Sequence, residues 1–417
     1  MKILFLTQWF QPEPFIKGLP FAKALRDRGH KVEVITGFPN YPGGKIYPGY
    51  RVRPWQIEMM EGIRVHRVPL YPSHDKSAFR RIINYLSFAL SSATIGPFLV
   101  RKPDVVYVYN LPTLGIAAYL LQFAYGCPVV YDIQDLWPDS VGVSGMLDRS
   151  LCLRILNYWC RTVYRAASHL VVLSPGMKAE LLLRLGLSED RVSVIYNWCD
   201  EKQVHSLQRD EELAAKLNLN GDIVVMFAGT MGIVQGLESV LKAAELVSMQ
   251  QPTIKFVFIG GGVERDRLRY LASARGLSNV KFLEQQPPEA IGAILALADV
   301  LLVHLKDTPL FRMTLPSKIQ AYMAAGKPIL LGLRGDAAEI IQSSGAGEVV
   351  EPENPSAIAE AVLKFARVSP AERELMGMKG WRYYQDHMSM HSGIGAFEEI
   401  FGWLVCSENH RKSCLNR

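Results

Sequence analysis

Residues 227–236 read Phe227-Ala228-Gly229-Thr230-Met231-Gly232-Ile233-Val234-Gln235-Gly236. The apolar run over 223–228 has the pattern of a buried strand, and a helical pattern starts directly after Gly236. Between them stand three glycines, where a chain turns tightly or lets a ligand approach its backbone. Strand, glycine turn and helix in that order is the join of a parallel α/β sheet. Free N–H groups at a helix N-terminus bind phosphate oxygens. The same residues serve equally as a plain strand-to-helix turn.

A second glycine cluster, Gly260-Gly261-Gly262, follows the next apolar run at 254–259. Two such loops after successive strands of one sheet favour a nucleotide site over two idle turns. The third segment is Pro316-Ser317-Lys318-Ile319-Gln320-Ala321-Tyr322-Met323-Ala324-Ala325-Gly326-Lys327-Pro328. It predicts a helix opened near Pro316 and closed by Gly326 before a proline-led strand. Lys318 near the start of that helix adds a mobile cation to the positive end of the helix dipole, which suits a diphosphate. A solvated surface lysine is the other reading.

Working outward, further strands are predicted near 280–283, 299–303, 328–332 and 347–350 in this half of the chain. The first half predicts strands near 2–7, 31–36, 63–68, 104–109, 128–132, 169–173 and 191–195. A helix over about 18–28 ends at Gly29. Near-continuous apolar strands imply burial on both faces. The expected fold is therefore α/β, with two doubly wound Rossmann-like domains facing a central cleft. The expected boundaries are 1–197 and 198–389, joined near Tyr196-Asn197-Trp198-Cys199-Asp200, with a polar, helical stretch at 200–220. A last helix at about 390–405 is expected to pack back onto the first domain. Ligands of open α/β sheets bind beyond the carboxyl ends of the strands, so loops after strands carry the candidates.

Composition bounds the function classes. The 417 residues are 49% hydrophobic and 21% charged with a net charge of +6, which fits a globular protein with an anionic partner such as a nucleotide diphosphate or an acidic membrane surface. No basic nucleic-acid motif appears, so no nucleic-acid partner is expected. The six cysteines, at 127, 152, 160, 199, 406 and 414, form no C-x-x-C pair and read as reduced thiols. The N-terminus opens on a strand-like run rather than a signal peptide, so a cytoplasmic location is expected and an exported solute-binding protein is disfavoured. The first strand leads into Thr7-Gln8-Trp9-Phe10-Gln11-Pro12 rather than a dinucleotide-binding glycine turn.

Asp135 follows a predicted strand, where it would orient an acceptor hydroxyl or take its proton, or else form an Asx turn or helix cap. His387 and His391 lie one helical turn apart, but with no third ligand they read as a surface pair. The stretch Ile82 to Val100 is about as long as a membrane span, yet it carries Asn84, several hydroxyl residues and Gly96-Pro97. It reads as an amphipathic element at a membrane interface, with Arg80, Arg81, Arg101 and Lys102 near lipid phosphates, or as a buried helix.

The glycine loops and the 316–328 segment, in this order, resemble the donor half of the retaining glycosyltransferases of family 4, which have the GT-B fold. The resemblance extends over nearly the whole chain. Within the family, Phe38-Pro39-Asn40-Tyr41-Pro42, Asp132-Ile133-Gln134-Asp135-Leu136-Trp137-Pro138-Asp139 and the 316–328 run look most like L-fucosaminyl transferases of O-antigen gene clusters. That branch uses UDP-N-acetyl-L-fucosamine and an undecaprenyl-diphosphate-linked sugar. The resemblance implies a donor diphosphate around Gly229, Thr230, Gly232 and Gln235, helped by Lys318 and Ser317. It implies a base near Gly261 and Gln286, and a ribose near Gln320. It places Gly18, Lys17 and Asn110 on the acceptor side and Asp135 at the reacting hydroxyl.

It further implies retention of anomeric configuration; no cofactor is expected, the absence of an Asp-x-Asp motif fits a metal-independent reaction, and the 82–100 stretch fits peripheral contact with the inner face of the cytoplasmic membrane. The chain departs from the wider family where Thr230 and Gln235 stand in place of Arg and Lys. Met313 and Ala321 replace a pair of glutamates, and Gln134-Asp135 replaces a His-Asp pair. A sugar-nucleotide 2-epimerase of the same fold, or an inactive binding protein, is the competing reading.

Overall fold

The computed structural model describes residues 1–73, 77–139, 150–219 and 223–415. The chain divides into two compact units, Met1–Ile195 with Ile394–Arg417, and Tyr196–Gly393.

The first unit is built on an eight-stranded sheet of β1 (Lys2–Leu6), β2 (Lys31–Gly37), β3 (Gln56–Met60), β4 (Ile63–Val68), β5 (Val105–Tyr109), β6 (Val129–Ile133), β7 (His169–Val172) and β8 (Val192–Val194). Their order is β3-β4-β2-β1-β5-β6-β7-β8. All pairings are parallel except β3 with β4, an antiparallel hairpin on the sheet edge. The sequence pattern does not announce β3, because only the alternate residues of Gln56-Ile57-Glu58-Met59-Met60 are even half-buried. The helices are α1 (Leu19–Asp27), α2 (Ala78–Thr94), α3 (Gly96–Leu99), α4 (Gly115–Tyr125), α5 (Ser150–Ala166) and α6 (Pro175–Leu185). The predicted 82–100 element is thus two helices, α2 capped by Ser77 and α3 starting at Gly96. No described helix is long and apolar enough to cross a membrane.

The C-terminal helix runs Met390–Leu415, and from Ile394 on it belongs to this first unit. Phe397 seals it there, with ring centroids 5.1 Å from Phe21 and 5.5 Å from Tyr107. Glu398 adds a bond of 2.7 Å from His30 Nε2.

The second unit holds a six-stranded, all-parallel sheet of β9 (Ile223–Ala228), β10 (Ile254–Ile259), β11 (Val280–Leu283), β12 (Val300–His304), β13 (Ile329–Gly332) and β14 (Gly347–Val350). The order β11-β10-β9-β12-β13-β14 is the doubly wound dinucleotide-fold order. Its helices are α7 (Glu211–Lys216), α8 (Leu237–Ser248), α9 (Arg265–Ala274), α10 (Ile291–Ala296), α11 (Pro309–Arg312), α12 (Ser317–Ala324), α13 (Asp336–Ser344), α14 (Pro355–Arg367) and α15 (Pro370–Tyr383). Alternate strand residues feed two cores, one per face. Val224, Met226, Leu301 and Leu331 enter one, and Val225, Phe227, Leu302 and Leu330 the other. Burial on both faces explains the unbroken apolar runs from which these strands were predicted. The expected helical stretch at 200–220 shrinks to α7 among the described residues, because the segment before it is irregular.

Candidate functional site

In the second unit the strand order reverses between β9 and β12, the point where doubly wound sheets receive ligands. Gly229 leaves β9 with φ of 135° and lies against α12. A Cβ there would sit 2.7 Å from Lys318 Cε and 3.1 Å from its Nζ. Lys318, in the first turn of α12, also lays its ammonium 4.8 Å over the Phe227 ring. Burial pulls its pKa down to about 8. No carboxylate is paired with it among the described residues. A desolvated cation without a counter-ion is costly, and an anion at this spot would relieve the cost. Thr230 and Ser317 are both exposed close by in sequence, Ser317 at the first position of α12.

The two glycine loops are laced together. Met231 N–H donates to the Gly261 carbonyl at 2.7 Å, and Glu264 N–H to the Met231 carbonyl at 3.0 Å. A Cβ on Gly260 would run into the Gly229 carbonyl, and one on Gly262 into that of Met231. Close approach at 260 and 262 is therefore to the neighbouring loop. At Gly261 the nearest atom to an added Cβ is Gln285 Oε1 at 3.6 Å, which leaves room on that side. Gln286, in the loop after β11, bonds the Glu284 carbonyl at 3.0 Å. Gln235 is turned onto its own loop, where its Oε1 accepts from Gly232 N–H at 2.8 Å.

The Gln320 expectation is corrected. The side chain is only 3% exposed, and its amide nitrogen donates to the carbonyls of Pro316 (3.0 Å) and Ser317 (3.1 Å). Its helix position turns it into the core, with its amide on its own helix's backbone.

His304, at the end of β12, was not singled out by the sequence. It is buried, and burial holds its pKa below the usual imidazole range. Nδ1–H donates to the Gln235 carbonyl at 2.6 Å and Nε2 accepts from Glu353 N–H at 2.9 Å, which fixes the neutral tautomer. The histidine thus ties the glycine loop after β9 to β12 at the switch point. A lone histidine in an apolar run gives no sign of this. The fitting absence of side chains opposite it does: a Cβ at Gly236 would lie 3.2 Å from the His304 ring, and one at Gly332 would collide with it.

In the first unit the order reverses between β1 and β5. Asn110 follows β5 directly, in the left-handed region at φ of 64°, with its N–H on the Asp132 carbonyl at 2.8 Å. Its buried side chain bonds Asp135 and leaves Oδ1 without a partner. Asp135 is reached by solvent, yet the protein packed around its carboxyl raises its pKa, an effect opposed by the Asn110 hydrogen bond. Its charge is felt by Tyr85 and Tyr109.

Around it stand more rings. Trp9 stacks on Phe15 at 5.3 Å, Phe15 meets Tyr41 at 5.2 Å and Tyr109 at 6.3 Å, and Tyr85 meets Trp137 at 6.4 Å. Glu13 holds this wall. Its carboxylate accepts from the N–H groups of Phe10 (3.1 Å), Asn40 (2.8 Å) and Tyr41 (2.7 Å), while burial pushes its pKa up to about 6.

Gly18 is the N-cap of α1, and any Cβ there would strike Gln11, whose Oε1 accepts from Leu19 N–H at 2.5 Å. Lys17 departs from its expected acceptor-side role. It is 5% exposed and pairs with Asp132 at 2.8 Å, and Asp132 also accepts from Tyr107 (2.6 Å) and Gln134 (2.6 Å). His387 packs on the Tyr383 ring at 4.5 Å, and no described cluster of three metal-binding side chains exists.

Residues 19–198 match the glycosyl transferase 4-like domain, and residues 208–378 match glycosyl transferases group 1. WbjE of Pseudomonas aeruginosa, named as a glycosyltransferase, is 31% identical over 270 residues, covering 63% of this chain and 66% of that protein. WcaI of Escherichia coli K12, named as a colanic acid biosynthesis glycosyl transferase, is 28% identical over 353 residues, covering 81% and 84%. HepE of Anabaena, solved in complex with UDP-glucose, superposes with a TM-score of 0.69 at 17% identity over 97% of this chain and 100% of that one, a likeness of fold. The two family matches take in both units, and the chain belongs to the GT-B glycosyltransferases of the family 4 class.

Proposed function

We propose that this chain transfers a sugar from a UDP-linked donor held by the second unit to a hydroxyl of an undecaprenyl-diphosphate-linked glycan held by the first. The sugar is N-acetyl-L-fucosamine, and the product belongs to a surface polysaccharide. The observation that carries the reading is the Lys318 ammonium, desolvated and without a carboxylate partner, held against Gly229 at the switch point of the sheet. A nucleoside diphosphate supplies the missing negative charge. The names of WbjE and WcaI and the UDP-glucose of HepE support a sugar-nucleotide donor and polysaccharide synthesis. The fucosamine assignment rests on the resemblance in the 38–42, 132–139 and 316–328 segments.

In this reading the bond between the anomeric carbon and the UDP oxygen breaks. Lys318 and the first N–H groups of α12 then stabilise the departing diphosphate. The acceptor oxygen forms the new bond, with retention, and its proton passes to Asp135. Lys318 takes the place of a metal ion, so the reaction is metal-independent. The helices around 82–100 rest peripherally on the cytoplasmic face of the membrane.

The test is thermal stabilisation and turnover with UDP-, GDP- and dTDP-sugars, UDP-N-acetyl-L-fucosamine included. Each is run with and without a lipid-diphosphate GlcNAc acceptor, in buffer containing EDTA. Stabilisation by the UDP class and transfer only with acceptor present bear the proposal out. Stabilisation by no nucleotide, or UDP release without an acceptor, overturns it.

A further inference from the structure

Beside the Asp135 wall lies a groove of about 600 Å³, bounded by α2, α4 and α5 and lined almost wholly by carbon. Ile82, Leu86, Ile116 and Trp159 line it, together with Tyr85 and Trp137. The Tyr85–Trp137 pair also borders Asp135, so the groove adjoins the place where the acceptor hydroxyl is proposed to react. The groove then opens onto an outer face that water meets at Leu86, Leu90, Phe98, Tyr119, Phe123 and Tyr158, side chains that are 54–88% exposed. An exposed apolar face of this kind marks an interaction site.

Charge selects the partner. Helices α2, α3, α4 and α5 contain no Asp or Glu, while Arg81, Arg154, Arg161 and Arg165 lie on α2 and α5, and Arg101 and Lys102 follow α3. Asp139 shares a pocket with Arg154 and Arg161, so this face carries an excess of basic side chains rather than basic ones alone, and such an excess among exposed aliphatic and aromatic side chains complements an anionic lipid surface. A polar protein partner would not match the bare carbon of the groove.

Resting on the lipid-linked acceptor proposed above, we infer that this groove holds the hydrocarbon segment next to the acceptor's diphosphate. The chain leaves the bilayer, runs between α2, α4 and α5, and presents its polar head at Tyr85 and Trp137 beside Asp135. The groove is a lipid-recognition subsite, and it makes the enzyme select for a chain as well as for a sugar.

The probe is farnesyl diphosphate below its micellar concentration, titrated against the intact chain by tryptophan fluorescence, with inorganic diphosphate as control. The wild type is expected to bind farnesyl diphosphate at least tenfold more tightly than inorganic diphosphate. Leu86→Asp and Ile116→Asp put a charge in the groove at half-exposed positions, and each should abolish that advantage while leaving stabilisation by UDP unchanged. Equal affinity for the two probes, or a preference that survives both substitutions, overturns the inference; so does an apolar helical peptide that occupies the groove in competition with the probe. Transfer to a chainless acceptor tests the transferase reading apart from the groove, because it needs no lipid.

Discussion

Gly229 and Lys318 share one space: the lysine stem runs where a side chain on the glycine would have to be, with 2.7 Å between Lys318 Cε and the position of a Gly229 Cβ. The backbone of Gly229 adds a second constraint, since φ of 135° is rarely adopted by residues with a side chain. Gly229→Ala should therefore displace the ammonium as well as strain the loop. Both Gly229→Ala and Lys318→Ala are expected to cut turnover more than tenfold, about 1.4 kcal/mol of barrier or more. Steady-state kinetics with a fixed acceptor check this. Normal turnover in the Lys318→Ala variant would mean that the diphosphate lies elsewhere.

The lysine also sets a pH signature. Its pKa in the free protein is about 8, well below that of an ordinary lysine. The diphosphate prefers the protonated form, so UDP affinity should fall as pH rises through about 8, and binding near that pH should take up a proton. Calorimetry in buffers of different ionisation enthalpy measures the uptake. Lys318→Arg keeps its charge across this range and should lose the pH dependence.

His304 acts on the same loop from behind. Its hydrogen bonds to the Gln235 carbonyl and from the Glu353 N–H are part-buried, and losing the ring removes both, at about 0.5–1.5 kcal/mol each. His304→Ala should lower the melting temperature and raise KM for the donor more than it lowers kcat. The ring's pKa is depressed by burial, so the unfolded chain takes up the proton first as pH falls below about 6.5. Stability should thus decline on the acid side, and the decline should be shallower in His304→Ala. Thermal melts of both proteins from pH 8 to pH 5 settle the sign.

The face formed by α2 to α5 predicts a salt-sensitive association with membranes. Phe98 and Phe123, 88% and 80% exposed, lie on α3 and α4 outside the groove. The wild type is expected to sediment with phosphatidylglycerol vesicles and less with phosphatidylcholine vesicles, and to dissociate as salt is raised. The double variant Phe98→Glu, Phe123→Glu should stay in the supernatant with its UDP-induced stabilisation intact. Equal sedimentation of variant and wild type would sink the membrane-contact reading.

The parallel strands were legible because burial on both faces writes an unbroken apolar run, as in Val300-Leu301-Leu302-Val303. Strand β3 was not, because an exposed edge hairpin needs no such run. Glycines could be located but not assigned: only the folded chain shows that Gly260 and Gly262 accommodate the neighbouring loop whereas Gly229 accommodates Lys318. Side-chain direction was the other blind point. Gln320 is polar and close to Lys318 in sequence, yet its place on α12 turns it into the core. Lys17 and Asp132 lie 115 positions apart, so their buried pairing leaves no local trace. Glu13 and His304 work through backbone groups of other loops, which no side-chain motif records.

Asp135 offers the sharpest separation of acceptor chemistry from donor binding. Its carboxylate stands beside Tyr85 and Tyr109 on the first unit, whereas Gly229 and Lys318, the proposed donor elements, belong to the second. Asp135→Asn keeps the size of the side chain and removes its capacity to take a proton. Such a base contributes about 10²–10⁴-fold, so kcat should drop by that order while UDP-induced stabilisation is unchanged. The surrounding protein raises the pKa of this carboxyl, and a base works only when ionised. Wild-type kcat/KM for the acceptor should therefore fall as pH drops through that raised value, above the usual carboxylate range. Asp135→Glu, which restores a carboxylate at a shifted position, should recover part of the rate and the acid limb together. A variant set in which Asn and Glu behave alike would assign Asp135 to positioning rather than to proton transfer.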